Sequence, residues 1–273
     1  MNRILVAVKA VSLAVKAFTA FVLLFLVLPL VTMLSASFAG GQSQILSFPP
    51  QGFSLSWYYV LLTDPDFLQG LWVSLLLGVG ASICSLLIAM GLCTALRRTS
   101  GSEILHSYAL SPLLIPGVVV GLSLLQLFRA VGLFGSFFSL FLAHIVITMP
   151  YAIRTLGAIF TSVDASLEDA ARTLGANEFQ TFRYVTLRLI QAGLIASFMF
   201  GFVISLNEIS MTAFLIKPGL TTVSMVVFGW STTLYTPILA AASGLFSIST
   251  LLFLLIADRV IGLDKAMAFV AYR

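Results

Sequence analysis

The chain has 273 residues, of which 60% are hydrophobic and only 9% charged. That is too little charge to cover a soluble globule of this size, so composition alone points to an all-α protein that crosses a membrane several times. The net charge of +4 does not indicate a nucleic-acid binder, because the basic residues sit at the ends of apolar runs and form no stripe with interleaved aromatics.

Arg3, Lys9 and Lys16 precede an apolar run from Ala17 to Phe38. One reading is a signal peptide, with Ser37-Phe38-Ala39 as the small-residue cleavage site. The run is longer than a signal's apolar core and has the roughly 20 residues a span needs, which favours a retained first helix. From Gly40 to Phe67 there is no Lys or Arg, and Pro49-Pro50, Gly52 and Asp64-Pro65-Asp66 break any helix longer than a few turns. Trp57, Tyr58 and Tyr59 are the aromatics expected where a chain lies along the membrane surface.

Five further apolar runs are long enough to span: Leu71 to Leu96, His106 to Phe128, Leu133 to Phe160, Leu189 to Ile216 and Tyr235 to Ile261. With 17–38 they make six transmembrane helices in one domain over residues 1–273, and both termini fall on one side. Cys84 and Cys93 lie nine residues apart in one run, on roughly opposite helix faces, so they read as small buried thiols and not as a metal or disulfide pair. Pro112, Pro116 and Pro150 lie inside predicted helices, where each removes a backbone hydrogen bond and bends the helix. Bent helices leave cavities, although proline is also simply commoner in membrane helices than in soluble ones. His144, halfway along the fourth helix, has two readings: a bond to a neighbouring helix, which is the usual role of a lone histidine there, or a contact with substrate.

The long polar island between these runs is Ser166 to Arg188, SLEDAARTLGANEFQTFRYVTLR, within a loop over 162–188. Ser166 followed by Asp169 predicts a capping-box-like helix start, with Glu168 adding charge near the positive end of the helix dipole. Gly175 is placed to close that helix in the left-handed conformation, and Asn177 to cap a second one. Ala170 and Ala171 leave one stripe nearly bare, as a helix docking into a partner's groove requires. Asp169-Ala170-Ala171, three residues, Gly175, nine residues, then Val185-x-Leu187 resembles the EAA loop of the permease subunits of ABC importers, whose pattern is EAA-x3-G-x9-I-x-L-P. Asp169 stands for the Glu, and Arg188 stands for the final Pro, which removes a kink at the entry to the next helix. FPPQGFSLSWYYVLL, PLLIPG and MPYAIRTL also resemble the wording of polyamine-type permeases of that group.

Past the loop, Gly193, Ser197, Gly201 and Ser205 recur every fourth residue. Such a row lets two helix backbones approach, either within the subunit or against a paired permease. Glu208 follows, beside Asn207. A carboxylate at membrane depth is costly unless it meets a wet cavity or a partner, so Glu208, with Asn207, Ser205 and His144, is the candidate lining of a transport path. The other reading of Glu208 is a helix-end carboxylate already touching water. Thr221 to Thr233 is apolar but too short to span, and reads as a re-entrant or interfacial helix.

Under the six-helix reading, Arg3, Lys9, Lys16, Arg97, Arg98, Arg154, Arg172, Arg183, Arg188, Arg259, Lys265 and Arg273 fall on the side of the N-terminus, and Arg129 and Lys217 on the other. That bias is a strong positive-inside signal, so both termini and the 162–188 loop are expected in the cytoplasm. No G-x-x-x-x-G-K-[ST], no H-E-x-x-H and no nucleophile motif occurs, so an enzyme is not expected and no cofactor is assigned.

The resemblance implies a type I importer permease in a bacterial inner membrane. It would pair with a second permease, here expected to be a different chain, with two cytoplasmic ATP-binding subunits and with an extracytoplasmic solute-binding protein. Membrane lipid surrounds it and nucleic acid has no place. ATPase coupling would fall to Ser166, Glu168, Asp169, Ala170, Ala171, Gly175 and Ala176, and the solute would be polyamine-like or otherwise cationic or zwitterionic. A secondary transporter or channel subunit working without an ATPase is the alternative, although neither inverted repeats nor midplane charges favour it.

Overall fold

In a computed structural model that describes residues 2–40, 49–50, 52–96, 110–233 and 237–261, the first apolar run belongs to a helix, α1 (Asn2–Ser37), that starts earlier than expected and carries Pro29 inside it. The second is α2 (Ser56–Thr63), two turns long, which takes up Trp57, Tyr58 and Tyr59. Then follow α3 (Pro65–Leu96), α4 (Gly117–Ala130), α5 (Phe137–Ser162), α6 (Ser166–Thr173), α7 (Glu178–Thr181), α8 (Gln191–Leu206), α9 (Val223–Thr233) and α10 (Pro237–Ile261). Among the described residues the extended pairings are two isolated bridges, Ala39 with Phe53 and Lys217 with Leu220.

The chain divides into two compact units, Met1–Asp64 with Trp230–Leu252, and Pro65–Gly229 with Phe253–Arg273. In the first unit, Ser37 Oγ lies 2.7 Å from Tyr58 Oη and the rings of Phe38 and Phe53 stack at 5.1 Å. Gly244 of α10 lets this cluster close, because a Cβ there would stand 2.7 Å from Tyr58 Oη. The span Ser12–Ser37 of α1 has a mean hydropathy of 2.6, and none of its most apolar window is buried within the chain. A helix that is apolar all round is suited to lipid or to a buried contact.

In the second unit α3, α5 and α8 pack together. Leu77, Leu140, Met211 and Leu215 fill one end of its core, and Ala89, Ile153, Leu156 and Ile190 the other. Gly193, Ser197, Gly201 and Ser205 are all buried, and a Cβ on Gly201 would meet Ser82 Oγ at 2.9 Å. The small-residue row is therefore a seam inside the subunit, where backbone approach replaces side-chain bulk. Ser85 and Thr148 close the α3–α5 contact with a hydroxyl pair at 2.7 Å. The start of α9 is pinned to α3: Ser74 Oγ accepts from the Val223 N–H at 2.9 Å, and Gln69 Nε2 donates to the Gly219 carbonyl at 2.8 Å.

Several predicted boundaries move. Asp64-Pro65-Asp66 breaks the chain as expected, with Asp64 ending α2, but α3 then starts at Pro65 and not Leu71, since proline as the first helical residue gives up an N–H that has no partner there anyway. The helix predicted over His106 to Phe128 is interrupted: a 3₁₀ turn covers Ser111–Leu114 and Pro116 caps α4, so Pro112 and Pro116 break the run where a bend was expected. Residues 106–109 lie outside the described residues, as do Tyr235 and Thr236 of the last predicted span. Pro150, by contrast, is carried inside one helix.

The fourth span starts at Phe137, not Leu133, because Gly132 and Gly135 both turn at φ +72° and Ser136 Oγ then caps the helix through the Ser139 N–H. The fifth ends at Leu206, ten residues before Ile216, where Asn207 Nδ2 donates back to the Val203 carbonyl and the chain turns. Over the described residues, Ser12–Ser37, Pro65–Leu96 and Phe137–Ser162 are single helices long enough to cross a membrane, and Glu178–Leu189 with Gln191–Leu206 is a pair bent by 67° that counts as a fourth only when taken as one span. Gly117–Ala130 and Pro237–Phe253 are shorter apolar helices.

Candidate functional site

The polar island folds as two short helices, α6 and α7, joined at Gly175, whose φ of +93° returns the chain without strain. The Gly175 and Ala176 N–H groups donate to the Arg172 and Ala171 carbonyls, which closes α6. Asn177 caps α7 in a reciprocal box with Gln180, at 2.8 and 2.9 Å. The start of α6 differs from expectation. Ser166 caps nothing; Ala165 is the N-cap residue without a side-chain bond, and Asp164 Oδ1 accepts from the Ser166 N–H at 2.9 Å. The carboxylate two residues earlier does the work assigned to the hydroxyl.

The two acidic residues of α6 separate by face. Glu168 is buried, accepts at Oε1 from the Thr186 hydroxyl at 2.7 Å and lies 3.8 Å from Arg172 Nη2 at its other oxygen. Asp169 is exposed and takes Arg172 Nη1 at 2.7 Å. Arg172 also reaches across Gly175 to Glu178, at 3.0 and 3.4 Å, so one guanidinium ties both helices together. The Glu178 hydrogen bond, followed by the Asp169 one, raises the pKa of Arg172 further above its ordinary value. Ala170 is exposed and Ala171 half-buried. Around them Leu167, Leu174, Phe179 and Tyr184 stand outward, Leu174 at 89% exposure. Sequence reasoning passed over these four, although large apolar side chains inside a polar island were a visible signal.

A π turn, Phe182–Thr186, follows α7, and the chain then bends by 67° at Ile190 into α8. The kink that Arg188 in place of proline seemed to remove is thus present, two residues later. Ile190 is fully buried, with φ −94° and ψ 2°.

At the far end of α8 the second set of candidates splits. His144 is fully buried: its Nδ1 lies 2.7 Å from Ser205 Oγ and its Nε2 3.3 Å from Thr212 Oγ1, so both ring nitrogens meet hydroxyls of the same chain. Asn207 and Glu208 lie in the turn beyond the helix. Glu208 is half-buried and its Oε1 accepts from the Met211 N–H at 2.6 Å, at the start of a 3₁₀ turn over Thr212–Phe214. A Cβ on Gly117 would stand 3.7 Å from the same oxygen, so the carboxylate also borders the start of α4. Among the described residues no three His, Cys, Asp or Glu side chains gather as a metal site would require.

Residues 82–263 match the family described as binding-protein-dependent transport system inner membrane component. The spermidine/putrescine transport system permease protein PotC of Escherichia coli (strain K12) is 25% identical over 243 residues, 88% of this chain and 90% of that protein. The putrescine transport system permease protein PotI of the same strain is 30% identical over 186 residues, 65% of this chain and 66% of that one. Among solved structures, a bacterial alginate ABC transporter crystallised with an alginate pentasaccharide-bound periplasmic protein superimposes with a TM-score of 0.67 at 14% identity, covering 90% of this chain and 91% of that one.

Proposed function

This chain belongs to the family of binding-protein-dependent transport system inner membrane components, and from that membership we propose that it forms half of the translocation pathway for a small cationic or zwitterionic solute and passes the motion of an ATPase to that pathway through α6 and α7. Its fold is that of the type I importer permeases, and ATP hydrolysis falls to partner subunits. The observation that carries the coupling role is the loop itself. A short helix with a bare Ala170–Ala171 stripe and outward Leu167, Leu174 and Phe179 offers an apolar face that water does not favour. Behind that face, Glu168 and Arg172 fix the helix to the chain segment that leads into α8.

A lever of this kind needs a stiff arm and a bend. The arm is α6 with α7, locked by Arg172, and the bend is the 67° turn at Ile190. ATP-driven closure of two ATPase subunits would push the arm and so tilt α8, whose seam against α3 and α5 carries the motion inward. The polyamine solutes named for PotC and PotI support a cationic solute here. The periplasmic protein bound to the alginate transporter supports delivery by an extracytoplasmic binding protein. The second permease is expected to be a different chain, and both termini are expected in the cytoplasm with the loop.

Glu208 is proposed as a charge on the solute's path, with Asn207, Ser205 and His144 supporting the turn that holds it. The reading is tested by expressing the chain with the products of neighbouring transport genes and purifying it through a tag. A stable complex with an ATP-binding subunit, and uptake in proteoliposomes that stops without ATP, are the expected results. Uptake that continues without ATP would instead favour a secondary transporter.

A further inference from the structure

Gly117 and Gly121 lie one helical turn apart on α4, and both face the turn that follows α8. A Cβ on Gly121 would stand 2.8 Å from Phe214 Cδ2 and 3.0 Å from both the Cα and the carbonyl oxygen of Met211, and one on Gly117 would stand 3.1 Å from Ser210 Cβ. Glycine is a poor helix former, so a pair of them whose added methyl groups would collide contributes close approach and not helix stability. What the approach brings to α4 is Glu208. Its Oε1 accepts from the Met211 N–H at 2.6 Å, and the same oxygen stands 3.7 Å from the Cβ position of Gly117. Met211 is fully buried, and the next residue, Thr212, is tied to α5 through His144 Nε2 at 3.3 Å. The backbone that holds the carboxylate therefore has little room to move away from a thicker α4.

We propose that Gly117 and Gly121 are positioning residues for Glu208. The width of α4 at these two places sets where the carboxylate stands, and a methyl group at either shifts the turn and loosens the bond to the Met211 N–H. A cation gains most from a fixed charge when the charge lies where the cation passes, so the shift weakens apparent affinity for solute and leaves the ATPase step alone. That transport consequence rests on the path role proposed above for Glu208; the positioning itself does not.

The test measures hydrogen–deuterium exchange at the Met211 amide of the full chain in lipid nanodiscs. Gly121→Ala is expected to speed exchange about tenfold, the weight of one hydrogen bond to a charged group. Glu208→Ala does the same, and the double variant goes no further than either, because both changes break one bond. Gly117→Ala also speeds exchange, and adding Ser210→Gly, which removes the atom the new methyl meets, restores it; this pair decides the matter if Gly121→Ala fails to fold. Unchanged exchange in both glycine variants at wild-type helix content overturns the proposal, and so does a double variant in which the Gly121→Ala and Glu208→Ala effects multiply, the mark of general loosening. In proteoliposomes holding the complex with its ATP-binding subunits, Gly121→Ala is expected to raise the KM for 1,4-diaminobutane at unchanged maximal ATP hydrolysis. If Glu208→Gln keeps full uptake while the exchange results hold, the path role fails and the positioning stands. If Glu208→Gln lowers uptake but both glycine variants exchange like wild type, the positioning fails and the path role stands.

Discussion

Glu168 and Asp169 carry the same charge one residue apart, yet a helix turns them about 100° from each other and gives them different work. Glu168 is buried against Thr186 and holds α6 to the π turn, whereas Asp169 is exposed and shares Arg172 with Glu178. Glu168→Ala leaves the Thr186 hydroxyl buried without its acceptor, at a cost of about 1–3 kcal/mol; faster tryptic cleavage at Arg172 in nanodiscs is the expected sign, with Asp169→Ala close to wild type. Gly175→Ala is a cleaner case. Nothing lies within 4 Å of the added Cβ, but the φ of +93° remains, so the roughly 1–2 kcal/mol penalty is purely conformational. Gly175→Asn, a residue that tolerates this region, is expected to lose less in thermal unfolding than Gly175→Ala. Glu208→Gln keeps a carbonyl oxygen for the Met211 N–H while removing the charge. If the charge assists a cation, uptake falls while ATP hydrolysis is unchanged; full uptake would leave Glu208 as a turn cap alone.

At the scale of elements, two features follow from backbone geometry that no single residue announces. Asn177 and Gly175 were legible as cap and terminator, because each acts on its own neighbours. The π turn and the bend at Ile190 were not, since they arise where α7 must run on into a buried helix lying at another angle. The family's proline would fix such a bend locally; here burial of Ile190 accompanies it without one. Likewise the period-four row of α8 could be read from sequence, but its partner could not, because lipid and protein neighbours are equally apolar. Packing against Ser82 and Ile159 decides it. Gly201→Val places a branched side chain where Ser82 Oγ would be 2.9 Å from Cβ, and overpacking of that kind costs about 1–3 kcal/mol. Phe200, one position away and 57% exposed, faces out of the seam. Lower thermal stability in detergent is expected for Gly201→Val and not for Phe200→Leu.

For the whole molecule, the membrane class was legible because 60% hydrophobic residues admit few other solvents, and the polar island at Ser166–Arg188 because its polarity contrasts with everything around it. The ends of the spans were less so. Hydropathy does not register Gly132, Gly135 or Asn207, which stop helices inside apolar text. Orientation rests on charge alone: Arg172, Arg183 and Arg188 fall in the 162–188 loop, while Arg129 and Lys217 stand at the ends of α4 and of the turn after α8. Lys217 packs over Gly135 and Arg129 over the Phe134 ring at 5.0 Å, so both of these cations gather around one hairpin between α4 and α5. Since cytoplasmic loops carry an excess of Lys and Arg, the side with more of them is expected to face the cytoplasm and the hairpin to face outward. Two single-cysteine chains, each with Cys84 and Cys93 changed to Ser, separate the two orientations. In intact cells a membrane-impermeant maleimide is expected to label Lys217→Cys, which is exposed, and to spare Leu174→Cys at 89% exposure until the membrane is opened. Labelling of Leu174→Cys in sealed cells would put the coupling loop on the wrong side for any cytoplasmic motor.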